Sequence, residues 1–208
     1  MQELYKKVTE LFEKDPPPGH DIKHALRVAG LAKKIAGAEG YDAREAEIAG
    51  LLHDVGRTTQ KDHFGHAQAG VPVAKELLNT YTNFSDETKE RILSAIKHHS
   101  DLASESELAH ILQDADKLDG IGAVGISRAY VTCHALPDYD PNSIIPDEVG
   151  EYGKPVSIHQ QIQFQAEWYN MLFTETAKEI GKSKYEFMKT YLDQIKKEIE
   201  ESTLTPKT

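Results

Sequence analysis

The segment LLHDVGR, residues 51–57, places an imidazole directly beside a carboxylate at the end of an apolar run. Burying a charged group without a partner is costly, so such a pair is normally satisfied by hydrogen bonds or by a metal ion. His53 and Asp54 therefore have two interpretations. They are either a hydrogen-bonded pair at a helix end or two adjacent metal ligands, and further inward-facing ligands elsewhere in the chain would favour the second.

Two more candidate ligands lie on helical faces that are otherwise mostly apolar. His24 precedes three apolar residues at spacings of four, three and four, namely Val28, Leu31 and Ile35, which directs its imidazole inward. Asp116 stands on another such face. Taken singly, each has an ordinary alternative, a core histidine bonded to a carbonyl or a solvated carboxylate. Taken together with His53 and Asp54, they give two imidazoles and two carboxylates, a set that suits Mn, Fe, Mg, Ni or Zn.

The face that carries His53 is lined by small residues, namely Ala46, Ala49 and Gly50. Glycine in particular permits a close approach of one backbone to another. This face therefore allows a neighbouring helix to come near and leaves room for a ligand set.

The order H…HD…D, formed by His24, His53–Asp54 and Asp116, resembles the HD-domain superfamily of metal-dependent phosphohydrolases. Three flanking segments are similar to that family's motifs: HDIKHALRV (20–28), AGLLHDVGR (49–57) and LQDADKLDGIGAVGISR (112–128). The third segment resembles a compact subgroup of stand-alone HD hydrolases, as does the C-terminal stretch from 157 to 192. The resemblance implies an orthogonal helical bundle and one divalent ion held by the four candidate ligands.

Arg57 follows the HD pair at a turn made by Gly56. A basic residue at this place in the family is positioned to meet phosphate, and a guanidinium can do so with two parallel hydrogen bonds. The alternative is a surface arginine. We take Asp54 and Arg57 as the candidate catalytic residues, with Asp54 both binding the metal and accepting a proton from water.

Other polar residues have weaker assignments. The candidates for phosphate binding, or for a second metal ion, are His66, His98, His99, Lys117 and Arg128. His20 and Asp21 precede His24 by about one helical turn, so they either support a ligating histidine or cap the helix. Asp114 and Asp119 flank Asp116, and the sequence does not decide which of them supports a ligand.

Helix signals dominate the chain and predict an all-α fold. The predicted helices cover about 2–13, 20–38, 42–55, 65–80, 86–98, 105–118, 120–135, 157–180 and 184–201. Capping boxes are expected at Asp42 with Glu45 and at Ser104 with Glu107, and Ser85 is a third expected cap. The proline-rich segment 136–156 is a long loop, of the kind that closes over substrates, and Tyr139, Tyr152 and Lys154 within it are candidates to meet a base or a phosphate.

Composition limits the class of protein and its partners. A chain of 208 residues predicts a single HD domain, 1–208, with two closing C-terminal helices. The net charge of −10 argues against nucleic acid as a main ligand, because such proteins usually present a basic surface. One cysteine, Cys133, and no signal-like or membrane-spanning run predict a cytoplasmic protein. The resemblance allows a monomer or a homodimer.

These observations predict a phosphohydrolase for a small phosphate ester or anhydride, with a nucleotide as the favoured substrate. Manganese is the first metal to try. The alternatives are a di-iron oxygenase of the HD type and a non-catalytic regulatory module. Nucleotidase branches of the superfamily carry an extra acidic residue soon after the HD pair, whereas residues 55–61 hold none, so this segment offers no second carboxylate beside Asp54 as a general acid or base.

Overall fold

The computed structural model describes residues 1–14, 18–60, 65–101, 104–140, 144 and 154–202. The regular elements in these ranges are helices, which confirms the all-α class. They are α1 (Gln2–Phe12), α2 (Ile22–Glu39), α3 (Ala43–Leu52), α4 (His66–Tyr81), α5 (Asp86–Lys97), α6 (Glu107–Asp119), α7 (Gly122–Thr132), α8 (Ile158–Glu167) and α9 (Glu175–Ser202), with short 3₁₀ helices at Val55–Thr58 and Trp168–Met171. None of the described helices combines the length and apolar composition needed to cross a membrane.

The chain divides into two compact units. The first comprises Met1–Asp119 and Leu172–Glu179, and the second comprises Gly120–Met171 and Ile180–Thr208. Helices α1 to α6 and the beginning of α9 thus belong to the first unit, and α7, α8 and the remainder of α9 belong to the second. The single-domain organisation expected from the sequence stays a prediction.

Within the first unit, α2 and α3 pack at very short range. A Cβ atom added to Gly50 would lie 2.7 Å from the Cα atom of Ala29, so only glycine fits there. The small-residue face predicted from the sequence therefore does admit a neighbouring helix. The same close packing brings His24 on α2 and His53 at the end of α3 to one end of the helix pair, since their ring nitrogens lie 3.2 Å apart.

A second close approach lies directly after the HD pair. A Cβ atom on Gly56 would collide with the carbonyl oxygen of His66 and would lie 2.5 Å from the backbone nitrogen of Gly70. The 3₁₀ turn at Val55–Thr58 therefore sits against the first turns of α4. This contact places Asp54 and Arg57 within reach of His66.

Two of the expected helix caps are confirmed. The Asp42 side chain accepts hydrogen bonds from the backbone nitrogens of Arg44 and Glu45, and Ser85 accepts one from the backbone nitrogen of Thr88. These bonds satisfy amide groups that the first turn of a helix cannot pair internally.

The two capping boxes are not formed as expected. The Glu45 carboxylate accepts a 2.6 Å hydrogen bond from Arg91 instead of turning back to its own helix start. At α6 the first helical residue is Glu107, and Ser106 rather than Ser104 accepts from the backbone of Ala109, at 3.4 Å. In the first case a tertiary ion pair at a buried site outweighs a local hydrogen bond.

The predicted break between the last two helices was wrong. A helix over 157–180 followed by another over 184–201 was expected. Instead α8 ends at Glu167, a 3₁₀ turn follows at Trp168–Met171, and α9 runs from Glu175 to Ser202 without a break. The reason is tertiary. The buried Asp114 carboxylate accepts three hydrogen bonds of 2.8 Å, from the backbone nitrogens of Phe173 and Thr174 and from the Thr174 hydroxyl. That hydroxyl accepts in turn from the backbone of Ala177, at 3.2 Å, so the helix starts here.

Most of the predicted loop 136–156, Tyr152 included, lies outside the described residues. Its ends are described and are joined to each other. The backbone nitrogens of Ile158 and His159 donate to the carbonyl oxygens of Pro137 and Asp138, each at 2.9 Å. Tyr139 stacks on His159 with ring centroids 5.9 Å apart. The two described ends of this segment therefore lie side by side.

Candidate metal centre

A cluster of buried polar side chains forms where the ends of α3 and α5 meet the starts of α2 and α4 and the face of α6. His24 is 1% exposed, His53 0% and Asp54 1%, while the Asp116 side chain is 36% exposed. All of these residues lie in the first unit. Protein interiors hold so many ionisable groups together only when the groups are paired, hydrogen-bonded or bound to a metal.

The four predicted ligands converge on one position. His24 Nε2 lies 3.2 Å from His53 Nε2, 3.6 Å from Asp54 Oδ2 and 3.4 Å from Asp116 Oδ1. His53 Nε2 lies 3.6 Å from Asp54 Oδ2 and 4.0 Å from Asp116 Oδ1. These spacings suit ligand atoms that surround a common ion, since atoms on opposite sides of a metal are separated by up to about twice a 2.0–2.2 Å bond.

The opposite ring nitrogens show how the two imidazoles are oriented. His53 Nδ1 donates to the carbonyl oxygen of Gly50 at 2.7 Å, and His24 Nδ1 donates to Asp119 Oδ2 at 2.7 Å. Both partners can only accept, so the proton of each neutral ring resides on Nδ1. The Nε2 lone pairs consequently point toward the shared position, as metal ligation requires.

A second histidine pair faces the other oxygen of Asp54. His66 Nε2 lies 3.3 Å from Asp54 Oδ1 and 3.1 Å from His99 Nε2, and His99 Nε2 lies 3.9 Å from the same carboxylate oxygen. The His99 ring is oriented by a 2.7 Å bond from Nδ1 to the carbonyl oxygen of Ile96. Asp54 thus lies between two groups of imidazoles.

Arg57 inserts its guanidinium beside this second group. Its Nε atom lies 2.8 Å from Asp54 Oδ1 and its Nη2 atom 3.2 Å from His66 Nε2. The contact between Arg57 Nε and Asp54 Oδ1 is short but poorly aligned. Neither of these two atoms has a well-formed hydrogen bond among the described residues. Buried charged atoms left in this state are where a ligand is expected.

The electrostatics of the cluster favour a cation. Burial by itself would raise the pKa of Asp54, but the neighbouring His53, His20 and Arg57 outweigh it and hold that pKa well below its usual range. Burial lowers the pKa of His66, to about 4. An ionised Asp54 and an uncharged His66 are the protonation states that metal binding demands of a carboxylate and an imidazole, and the donor set of nitrogen and oxygen atoms fits a divalent ion.

The pair His20–Asp21 takes up two separate positions. His20 Nδ1 bonds Asp54 Oδ2 at 2.8 Å, so this ring contacts a proposed ligand directly. Asp21 caps α2 and accepts from the backbone nitrogen of His24 at 3.0 Å. One residue therefore touches the carboxylate of the centre, and the other sets the start of the helix that carries His24.

Two sequence candidates are not brought into this cluster, and a third lies on a helix of the second unit. His98 follows the last turn of α5 and is directed outward, with its side chain 36% exposed and its Nδ1 atom 3.3 Å from Asp101 Oδ2. Lys117 lies over the ring of Phe173, 5.2 Å from its centroid. Arg128 belongs to α7 in the second unit. Adjacent helix positions face different directions, which separates His98 from His99 and Lys117 from Asp116.

The structure distinguishes the two aspartates that the sequence left undecided. Asp119 bonds the ring of His24, whereas Asp114 bonds the chain before α9. The spacing of Asp119 from Asp116 is the signal that identifies it, because residues three apart share a helical face.

The amino-acid sequence is similar to the HD domain and to two bacterial proteins. The sequence profile of the HD domain matches residues 21–121. The chain is 30% identical over 192 residues to the uncharacterized protein YpgQ of Bacillus subtilis, covering 89% of this chain and 87% of that protein. It is also 36% identical over 100 residues to Ribonuclease Y of Oleidesulfovibrio alaskensis, but that match spans only 18% of the ribonuclease.

Solved structures extend the similarity over nearly the whole chain. The structure of Bacillus subtilis YpgQ in complex with ADP has a TM-score of 0.74 at 29% identity and covers 95% of this chain and 94% of that one. A predicted HD superfamily hydrolase from an uncultured Thermotogales bacterium has a TM-score of 0.69 at 29% identity, with 95% and 92% covered. The helical architecture of these proteins is thus the architecture of this chain.

Proposed function

This chain belongs to the HD-domain superfamily, and on that premise we propose that it is a metal-dependent phosphohydrolase acting on a small phosphate ester or anhydride. One observation carries the proposal. Two imidazole nitrogens and two carboxylates converge on one position, and a buried guanidinium lies against the same carboxylate. A cation site with an anion-binding group beside it supports hydrolysis of a phosphate group, because the first activates water and the second stabilises the charge on the phosphoryl oxygens.

His24, His53, Asp54 and Asp116 would hold one divalent ion, with Mn, Mg, Ni, Fe and Zn all compatible with the donors. When bound, such an ion lowers the pKa of water and polarises a phosphoryl oxygen. Asp54 is the proposed acceptor of the water proton, because Oδ1 has no well-aligned partner among the described residues. This carboxylate lies within 4 Å of imidazole nitrogens of both histidine groups.

Arg57 and the second histidine pair are the proposed phosphate-binding group. The Arg57 guanidinium is 6% exposed, and a positive charge interacts with phosphate far more strongly in such surroundings than in water. The low pKa of His66, about 4, keeps that ring neutral, so it can donate or accept a hydrogen bond without adding charge. Burial lowers the pKa of His99 in the same direction.

A single ion is favoured over two. Asp54, His66 and His99 present ligand atoms within 4.8 Å of one another, which is close enough for a second ion. The Arg57 guanidinium, however, already places a positive charge 2.8 Å from Asp54 Oδ1 and 3.2 Å from His66 Nε2. A second cation at this position would be repelled by it.

A nucleotide is the proposed substrate class. The support comes from the similar YpgQ protein, which was crystallised in complex with ADP. The acidic net charge of −10 gives no support for a polymeric nucleic acid as substrate.

The test is a panel of nucleoside mono-, di- and triphosphates incubated with Mn²⁺ or Mg²⁺, with phosphate and pyrophosphate resolved separately. We expect metal-dependent release of one of these products and none after chelation. Asp54→Ala should remove turnover while helix content, measured by circular dichroism, is retained. Full turnover by this variant, or no hydrolysis across the panel by protein shown to contain metal, would overturn the proposal.

A second candidate, a di-iron oxygenase, is favoured only by the second set of Asp54, His66 and His99. It requires two irons per chain and O₂ consumption. Metal analysis after growth in iron-rich medium separates the two candidates, since the hydrolase proposed here requires one ion.

A further inference from the structure

We infer that Asp119 and Arg27 form a buttress that holds His24 in the one tautomer able to bind a metal, so that Asp119 is a positioning residue for the centre. The inference rests on the proposed metal site. It concerns residues outside that ligand set, and it makes a prediction about the metal-free protein as well.

The contacts of Asp119 define the buttress. This carboxylate is 2% exposed, and its Oδ2 atom accepts from His24 Nδ1 at 2.7 Å. Arg27 donates to both of its oxygens, from Nε to Oδ1 at 2.6 Å and from Nη2 to Oδ2 at 3.0 Å. A bidentate guanidinium bond of this kind restricts the carboxylate in both position and rotation.

Because the carboxylate is fixed, the proton of His24 is fixed too. An ionised carboxylate only accepts, so His24 must carry its hydrogen on Nδ1. The Nε2 lone pair then faces the shared position, 3.4 Å from Asp116 Oδ1. His24 differs in this from His53, whose Nδ1 atom is held by the neutral carbonyl of Gly50. A carboxylate partner makes an imidazole a stronger metal ligand.

An asparagine at position 119 cannot replace the carboxylate. If its amide oxygen faces His24, its NH₂ group points at the Nε–H of Arg27, which is also a donor. If the amide turns round, its NH₂ group points at His24 Nδ1 and favours the tautomer that has a proton on Nε2. One arrangement loses the buttress and the other blocks the metal-binding atom.

The experiment compares Asp119→Asn with Asp114→Asn. Both replace a buried carboxylate on α6, but Asp114 bonds only the chain before α9 in the contacts described above, so it is the matched control. Affinity for Mn²⁺ is measured by titration calorimetry at one neutral pH on variants shown to be folded. We expect Asp119→Asn to weaken binding by about 10- to 100-fold and Asp114→Asn to leave it within about twofold. Equal affinities for wild type and folded Asp119→Asn would overturn the inference.

A spectroscopic measurement determines the tautomer of His24 without metal or substrate. The nitrogen chemical shifts of His24 in the chelated protein should show Nδ1–H in the wild type and in Asp114→Asn, and a changed or mixed tautomer in Asp119→Asn. A His24 ring protonated on Nε2 in the wild type, or unaffected by Asp119→Asn, would overturn the buttress. Failure of the nucleotide panel with normal Mn²⁺ binding and an Nδ1–H ring would instead reject only the proposed hydrolysis.

Discussion

Asp54 has two distinct surroundings because its carboxylate oxygens face different groups. Oδ2 accepts from His20 and lies 3.6 Å from the Nε2 atoms of both His24 and His53. Oδ1 faces Arg57 and the second histidine pair. Asp54 is therefore placed to bind the proposed ion through one oxygen and to face the proposed phosphate site with the other.

The neighbouring residues His98 and His99 allow a matched comparison of two alanine variants. We expect His99→Ala to reduce turnover by about 10²-fold or more, since it removes a buried group beside the proposed phosphate site. His98→Ala should stay within about twofold of the wild type, because its ring is directed outward to Asp101. Steady-state kinetics on both variants with Mn²⁺ is the measurement, and equal losses in the two would contradict the placement of the phosphate group.

The low pKa of His66 predicts an acid dependence of stability in the chelated protein. The folded pKa is about 4, because burial and the adjacent Arg57 disfavour the imidazolium, whereas an unfolded histidine titrates near about 6.5. The unfolded chain therefore takes up its proton first as the pH falls. The stability from the neutral ring is complete above about pH 6.5 and is lost between about 6.5 and 4.

Denaturant unfolding at several pH values in the presence of a chelator measures this effect. His66→Gln, which cannot titrate, should flatten the decline, while His99 retains a contribution of the same sign, since burial lowers its pKa as well. An identical slope in the variant and the wild type would show that His66 is not held neutral.

At the scale of elements, the centre depends on two contacts that only glycine permits. Gly50 allows α3 to meet α2, and Gly56 allows the turn after α3 to meet α4. The first contact brings His24 and His53 together, and the second brings Arg57 and His66 together. The packing of the helices therefore positions the site.

Gly56→Ala tests the second contact. The added methyl group would collide with the backbone of His66 and Gly70, which cannot move aside as a flexible side chain would. We expect a loss of about 1–3 kcal/mol in the free energy of unfolding, as for an overpacked core, together with weaker substrate binding. Thermal and denaturant unfolding measure the loss.

Gly30→Ala is the matched control. Gly30 lies within α2, and a methyl group there meets no heavy atom within 4 Å. Alanine should raise stability by about 0.5–1 kcal/mol, because glycine is the poorer helix former. If both substitutions had the same effect, the close approach at Gly56 would not be needed.

At the scale of the whole molecule, we expect the second unit to stay folded when the loop after α7 is shortened. Its ends are held together by the backbone bonds of Ile158 and His159 to Pro137 and Asp138. Replacing residues 141–153 by a short Gly-Ser linker should leave helix content and Mn²⁺ affinity unchanged, since the proposed ligands all lie in the first unit.

The same replacement tests whether the loop contributes to substrate binding, as its length predicts. We expect a raised KM or an altered nucleotide preference with kcat for the best substrate less affected. Kinetics across the full nucleotide panel is the measurement, and unchanged constants for every substrate would show that the loop has no such role. A loss of helix content would instead show that the hydrogen bonds between Pro137–Asp138 and Ile158–His159 do not hold the two ends together without the loop.

The sequence by itself determined the helical class, most helix positions and two of the caps. These features depend on interactions between residues a few positions apart, as with Asp42 and the two amides that follow it. His24, His53 and Asp116 could be proposed as ligands from the sequence because each stands on a helical face with mostly apolar or small neighbours, whereas Asp54 entered the proposed set beside His53 through the resemblance to the HD-domain superfamily.

Only the tertiary structure decided which neighbours of these ligands take part. His98 and His99 are adjacent in the sequence, yet one is half-buried beside Asp101 and the other is fully buried against His66. Asp114 and Asp119 are alike in type and position on α6, but one starts α9 and the other holds His24. These differences arise from contacts across 33 to 95 positions of the chain, and no local pattern records which distant side chain will meet a given carboxylate or ring.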